Sequence, residues 1–286
     1  MSNGGHDDVP PEDSVVCRLW PTIAEEFSRT GVCVISNFLG ESRTAASLRR
    51  AALGLFADGG MSPGVLGGAE DGRGIQRSFR GDYVAWLGPH GVTEPTKRRR
   101  CEGAVQATRC AGSKLLEEDH EYQVPSVALW SSLLEGLTSS LDAAVSAVLP
   151  RARLHRGEVM ASVYPPDRGA QFQRHLDNPC GDGRRISAVY YVNAGWKRED
   201  GAVLRCWPRA GAVEEIVPGE DTLVLFEADS IEHEVTENMS SGIFPDGYRC
   251  AFTSWYWEGR APDVDTPPRR RVRSDRRTKK QHRDKP

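Results

Sequence analysis

One boundary constrains this chain more than any other feature: at Pro150 the sequence changes its period. Upstream, Val127, Trp130, Leu134, Leu137, Leu141, Val145 and Val148 recur at three- and four-residue steps, the spacing that lines one face of an α-helix. Pro125 and Ser126 suit a helix start and Pro150 an end, so the spacing predicts a helix from Ser126 to Leu149. Downstream come short strand-like runs: Val159 to Tyr164, Gln171 to Leu176, Ile186 to Asn193, Val203 to Trp207, Thr222 to Glu227, His233 to Thr236 and Arg249 to Trp257. Clusters of Gly, Pro, Asn and Asp separate them. Helices first and then many short strands imply an α+β, mainly β chain: an antiparallel sandwich or barrel with helices packed outside.

Before residue 126 the pattern is mixed. Leu19, Ile23 and Phe27 have helical spacing, and Gly31 sits where a glycine ends a helix. Val32 to Ile35 reads as a strand, and Ser42 to Phe56 as a helix with Ala45, Leu48, Ala52 and Leu55 on one face. Gly59 to Gly74 reads as a loop, and it lacks the Gly-Lys-Ser/Thr ending of a phosphate loop. Arg80 to Leu87 reads as a strand anchored by Trp86. Gly88 to Gln123 reads as an inserted loop carrying the basic run Lys97 to Arg100. The expected organisation is a disordered leader over 1–13 and one folded domain over 14–260. That domain is helical to about 150, with a β core over 155–258, and a basic disordered tail over 261–286 follows.

The net charge of −3 hides an uneven distribution. From Arg269 to the end there are ten Lys/Arg against two Asp, which leaves 27 basic and 38 acidic residues elsewhere. An acidic body with a basic tail leaves nucleic acid open as a partner, because such a tail can meet phosphates or act as a nuclear import signal. The seven cysteines form no C-x-x-C pair, which suits free thiols in a reducing compartment. The first twelve residues are polar and acidic, unlike a signal peptide, and no stretch of eighteen apolar residues predicts a membrane span. A cytoplasmic or nuclear location follows as the expectation. Asn238-Met239-Ser240 matches a glycosylation sequon, which would be idle there.

The chemistry-bearing pattern is His175-Leu176-Asp177 with a distant His233. In a strand, residues i and i+2 share a face, so His175 and Asp177 converge if strand geometry persists to its end. Two imidazoles and one carboxylate on one face of an octahedron leave three positions open, the donor set of non-haem iron(II) oxygenases. His233 follows the buried-strand pattern Leu223 to Phe226, and Arg249 opens the apolar run Cys250 to Trp257. A lone cation in such a run needs a partner, because burying an unpaired charge is costly.

At this point the chain resembles a known family, the cytosolic prolyl 4-hydroxylases that act on proteins, including those that modify hypoxia-inducible factor. The matching text is Tyr164-Pro165, Arg174 through Pro179, Gly181 through Arg184, Tyr190 through Asn193, Trp196, Leu204-Arg205, Pro208, His233 through Val235, and Arg249 through Trp255-Tyr256. Upstream, Gly31 through Val34, Phe38 through Gly40 and Arg80-Gly81-Asp82 with Trp86 match in the same order. The resemblance implies a double-stranded β-helix (jelly-roll) core with supporting N-terminal helices. It implies iron(II) held by His175, Asp177 and His233, with 2-oxoglutarate and O2 as cosubstrates and ascorbate as a compatible further cofactor. Arg249 would pair with the distal carboxylate of 2-oxoglutarate, helped by the Tyr191 hydroxyl, and Tyr164 would bond near its chelating end. Leu204 would form apolar wall and Thr253 would meet a metal-bound water. Trp255, Arg184 and Asp82 would lie near a protein substrate, with Asp82 paired to Arg184. The implied reaction is hydroxylation of a proline in a protein, forming succinate and CO2, in an oxygen-sensing role.

Two stretches depart from the family pattern, Gly88 to Gln123 and Asn238 to Asp246, and both are expected at the substrate cleft. Other readings remain open on the residues alone. One is a 2-oxoglutarate oxygenase acting on another residue or substrate. Another is a zinc hydrolase, since two His and one Asp also suit catalytic zinc, although it leaves Arg249 and Tyr191 without a task. The third is a basic-tailed nucleic-acid-binding or scaffold protein.

Overall fold

A computed structural model describes residues 15–65, 79–88, 91–92, 126–166 and 169–259 of the chain. The expected leader, the basic tail, the Lys97 to Arg100 run and most of the 88–123 stretch lie outside these residues.

Helix α1 (Val15–Thr30) stops where Gly31 takes φ +80°, and the Gly31 N–H closes onto the Phe27 carbonyl at 2.8 Å. Strand β1 (Val32–Ser36) and helix α2 (Ser42–Ala57) follow. Helix α3 (Val127–Val148) starts at the predicted cap: the Ser126 hydroxyl accepts the Leu129 N–H at 3.3 Å. Its buried side chains are Trp130, Leu134, Leu137, Leu141, Ala144, Val145 and Val148, the stripe read from the sequence. Removing one of the fully buried leucines, Leu137 or Leu141, would cost about 2–5 kcal/mol in lost burial and cavity formation.

The strands are β2 (Ser62–Pro63), β3 (Tyr83–Gly88), β4 (Gly91–Val92), β5 (Leu154–Tyr164), β6 (Phe172–His175), β7 (Arg184–Tyr191), β8 (Leu204–Trp207), β9 (Glu214–Ile216), β10 (Thr222–Glu227), β11 (Glu232–Val235) and β12 (Arg249–Glu258). They form two antiparallel sheets. The larger runs β1-β10-β7-β12-β5-β3-β2 with β4 on β3, and the smaller runs β6-β11-β8-β9. Stacked sheets bury the two faces that meet, and here the larger sheet is covered on both. On β7, Ile186, Ala188 and Tyr190 pack with the helices, while Val189 and Tyr191 face the smaller sheet. On β12, Cys250, Phe252 and Tyr256 face the helices and Ala251 faces inward. Burial of both faces is why β7, β10 and β12 read as nearly continuous apolar runs rather than as alternation.

The helix-and-strand reading of the sequence corresponds to this double-stranded arrangement, with local differences. Strand β5 begins at Leu154, ahead of its apolar run, because β12 continues to pair with it through Glu258. The predicted loop from Gly59 contains the two-residue strand β2. The short β9 was not predicted, since Glu214-Glu215-Ile216 carries a single apolar residue. Strand β6 ends at His175, so Asp177 stands on a bend rather than in the strand. Among the described residues Cys33, Cys180, Cys206 and Cys250 are free, and no helix is long and apolar enough to cross a membrane. Asn238, in the sequon, is buried and its amide donates to the carbonyls of Tyr164 and Gly247, which leaves no room for a glycan.

Candidate metal centre

Register brings the two histidines together. Strands β6 and β11 pair with His175 opposite His233, and β8 places Cys206 on the other side of His233. Directly opposed residues of an antiparallel pair point to the same face, and the two imidazole centroids lie 4.2 Å apart. Asp177 reaches the same point from the bend after β6. Its Oδ1 lies 3.6 Å from His175 Nε2 and 3.8 Å from His233 Nε2. One ligand atom from each of the three residues falls within 4.8 Å of the others.

Both rings turn Nε2 toward Asp177. His175 Nδ1 lies 2.7 Å from the Gln173 carbonyl oxygen and His233 Nδ1 3.2 Å from that of Ile231. A carbonyl only accepts, so Nδ1 carries the proton in each ring and Nε2 keeps its lone pair. Phe172 stacks on His175 at 3.8 Å and 18°, and Phe226 packs against His233 at 4.4 Å. Each imidazole is thus packed against one aromatic ring. Burial pushes the His233 imidazole down to about 4, against the pull of Asp177, so it is neutral near pH 7. Burial by itself would raise the Asp177 carboxyl, but His233, His175 and the Ser187 hydroxyl outweigh it and hold the group well below the usual carboxylate range.

The second carboxylate oxygen of Asp177 is fixed by two donors. Ser187 Oγ donates at 2.5 Å and Trp255 Nε1 at 2.9 Å. Ser187 and Trp255 face each other across β7 and β12. From there the inward-facing column continues through the pairs Val189–Thr253 and Tyr191–Ala251 to Arg249. Leu204 and Cys206 of β8 belong to the same buried interior, and burial pushes the Cys206 thiol up to about 12.

Arg249 lies at the far end of that column. It is 2% exposed, its Nη2 donates to the Tyr191 hydroxyl at 3.2 Å, and its Nε is buried without an acceptor. The guanidinium sits 4.5 Å from the Tyr164 ring centroid and 4.9 Å from that of Tyr191. Such a cation costs several kcal/mol to bury unless an anion joins it. Burial pushes the Tyr191 hydroxyl up to about 12. It therefore keeps its proton, and since its oxygen accepts from Arg249, that proton is left to donate. Burial and the nearby Asp82 raise the Tyr164 hydroxyl as well. A guanidinium fork and phenol hydroxyls buried side by side suit a carboxylate. Tyr190, the other member of the Tyr-Tyr pair, faces away and donates to Asp221.

The expected Asp82–Arg184 pair does not form. Asp82 takes both bonds from Arg80, Nε to Oδ1 at 2.6 Å and Nη2 to Oδ2 at 2.9 Å. Arg184 pairs instead with Asp182, its Nε reaching Oδ2 at 2.8 Å. Each arginine has found a carboxylate two residues away in its own strand or turn, which fixes fewer chain segments than a long-range pair would. Arg80 also covers the Phe172 ring at 4.5 Å, on which His175 stacks. Arg184 stands over the Trp255 ring at 5.7 Å, and Trp86 packs on Trp255 at 5.7 Å. The reading of the sequence missed Ser187, Cys206 and Phe172 as neighbours of the centre. A Ser two residues from Val189 and four from Tyr191 in one strand was the available signal for the first.

The 238–246 stretch does not lie at the Asp177 end of the column. It returns to Gly247 beside the paired residues Tyr164 and Arg249, with Asn238 bridging the Tyr164 and Gly247 carbonyls at 2.8 and 3.0 Å.

Comparison with known proteins agrees with this geometry. Residues 159–257 match the family described as the 2OG-Fe(II) oxygenase superfamily. The chain is 27% identical to human (Homo sapiens) prolyl hydroxylase EGLN3 over 231 residues, 80% of this chain and 79% of that protein. It is 25% identical to human Egl nine homolog 1 over 81% of this chain and 45% of that longer protein. Among solved structures, it is similar to the Trichoplax adhaerens prolyl hydroxylase in complex with a hypoxia inducible factor oxygen degradation domain peptide fragment. The TM-score is 0.61 at 26% identity, covering 84% of this chain and 90% of that one. A Pseudomonas putida prolyl-4-hydroxylase shares the fold, with a TM-score of 0.57 at 20% identity over 84% of this chain and 100% of that one.

Proposed function

The chain carries a domain of the 2OG-Fe(II) oxygenase superfamily, and from that premise we propose that it is a protein prolyl 4-hydroxylase dependent on iron(II) and 2-oxoglutarate. The observation that carries the reading is the Arg249 guanidinium, buried with Nε unpaired in the interior that also holds the two histidines and the aspartate. A hydrolytic zinc site would give that cation nothing to bind.

His175, Asp177 and His233 would hold the metal, for which two imidazole nitrogens and a carboxylate oxygen are a fitting donor set. When bound, iron(II) with 2-oxoglutarate and O2 supplies the oxidising power to hydroxylate a C–H bond, with succinate and CO2 as coproducts. Arg249 and Tyr191 fix the far carboxylate of 2-oxoglutarate, the first by its charge and fork, the second by its hydroxyl proton. Tyr164, whose hydroxyl lies within the influence of both Asp82 and Arg249, approaches the chelating end. Leu204 closes the wall between these points and keeps it dry. Thr253, midway along the column and buried, would supply a hydroxyl near the metal's open side. Ser187 and Trp255 hold the Asp177 carboxylate by Oδ2, leaving Oδ1 beside the two histidine Nε2 atoms, where it would bind the metal.

On the open side of Asp177, Trp255 with Trp86 and Arg184 forms an aromatic and cationic wall that suits a prolyl peptide. Asp82 acts there indirectly, through Arg80 and Phe172. The similarity to a prolyl hydroxylase solved with a peptide supports a protein substrate, and a cytoplasmic or nuclear setting goes with it. Incubating the iron-loaded protein with 2-oxoglutarate and prolyl peptides, followed by mass spectrometry, tests this reading. A gain of one oxygen at proline C4 is expected. Turnover that modifies only lysine or a nucleobase would overturn the substrate, and turnover without 2-oxoglutarate would overturn the class.

A further inference from the structure

We propose that Arg49 is a positioning residue for cosubstrate binding: from helix α2 it locks the chain on either side of Arg249. Arg49 touches neither the metal ligands nor the carboxylate pocket. Its Nη1 donates to Asn193 Oδ1 at 2.6 Å and to the Tyr248 carbonyl at 3.0 Å, and its Nη2 donates to the Pro245 carbonyl at 2.9 Å. Among the described residues no carboxylate pairs with it.

Asn193 completes the clamp. It is fully buried, and its Oδ1 also accepts the Cys250 N–H at 2.6 Å while its Nδ2 donates to the carbonyls of Cys250 and Pro218. The peptide groups directly before and after Arg249 are thus held by one connected set of bonds. Arg249 needs such a device because it is the first residue of β12 and follows the 238–247 loop. Strand ends after long loops fray at little cost. Fraying here would let the guanidinium move, and an ångström of misplacement weakens a two-point carboxylate contact. The loop is therefore part of the cosubstrate end of the site, with Arg49 tying it to a helix and Asn238 tying it to the Tyr164 end of β5.

The inference rests on Arg249 being the 2-oxoglutarate anchor. Its test uses the full chain loaded with iron(II) under anaerobic conditions and titrated with 2-oxoglutarate, read by visible charge-transfer absorption. Arg49→Met and Arg49→Lys are compared with the unaltered protein, with iron affinity and thermal unfolding measured alongside. Arg49→Met is expected to weaken 2-oxoglutarate at least about tenfold, the scale of one charge-assisted hydrogen bond, with iron affinity unchanged. Arg49→Lys, which keeps a donor at the clamp, should recover part of the loss. Unchanged 2-oxoglutarate affinity in Arg49→Met overturns the inference, as does a parallel loss of iron and cosubstrate in both variants. Should Arg49→Met not fold, Arg49→Gln is measured in its place: a weakened cosubstrate with iron intact supports the clamp, and wild-type binding refutes it. Failure of the unaltered protein to bind 2-oxoglutarate would instead refute the functional reading beneath it.

Discussion

Replacing Arg249 with methionine should damage cosubstrate binding while leaving the fold as stable as before, or more so. With 2-oxoglutarate bound, the fork would make two charge-assisted hydrogen bonds, each worth about 1.5–3 kcal/mol. Losing both weakens binding by roughly 3–6 kcal/mol, or about 100-fold to about 20,000-fold. Without cosubstrate the balance reverses. The guanidinium is 2% exposed and its Nε has no acceptor, so an apolar side chain of similar length removes a desolvated charge. Such replacements are neutral or stabilising by about 1–4 kcal/mol. For a domain of this size each kcal/mol moves the midpoint by about 2–4 °C. The assay is a 2-oxoglutarate titration paired with thermal unfolding of the cosubstrate-free protein. Unchanged affinity would refute Arg249 as the anchor. Lower affinity together with a fall of many degrees would show that it holds the fold rather than the ligand.

Other perturbations probe separate links. Trp255→Phe removes the indole bond to Asp177 and leaves that of Ser187, so iron affinity should fall about 10–100-fold in an anaerobic titration; wild-type affinity would mean that the indole does not orient the carboxylate. Asp82→Asn strands a mostly buried Arg80 and should cost about 3–5 kcal/mol in urea unfolding, with a loss below 1 kcal/mol ruling against the pair as a structural tie. His233 gives a pH signature. Its folded value is pushed down to about 4 from an ordinary 6.5, so the unfolded chain takes up a proton first as pH drops. Metal-free stability should be complete above about pH 6.5 and decline toward about pH 4, by up to ~1.4 kcal/mol per pH unit. Asp177, shifted the other way, adds loss only once pH falls into the usual carboxylate range. Urea unfolding between pH 7 and 4.5 reads the first decline, which should vanish in His233→Gln; an equal slope in that variant would assign it to other groups.

Much of the fold was legible because its physics is local. The α3 stripe, the Ser126 cap and the Gly31 stop are short-range features, and each lies where the pattern put it. The core strands were legible as apolar runs because helices cover one face of the large sheet and the small sheet covers the other. The short strands β2, β4 and β9 were not, since pairing with a neighbour rather than their own composition makes them strands. At the site, His175, Asp177 and His233 converge, but by cross-strand register and a bend rather than by a continued strand. Partner choice was the least legible layer. Asp82 turned to Arg80 and Arg184 to Asp182, because a nearby carboxylate in the chain competes well against a distant one. Ser187 and Cys206 became visible as neighbours of the centre only once the register of β7 on β12 and of β8 on β11 was known.

The most direct test is anaerobic addition of iron(II) to the metal-free protein with 2-oxoglutarate present. A visible metal-to-ligand charge-transfer band that saturates at one iron per chain is expected. That band should be absent in His233→Ala, although this variant stays folded, and in Arg249→Met it should appear only at much higher 2-oxoglutarate. A folded wild-type chain that binds iron without developing the band, or one whose band survives His233→Ala, would contradict it.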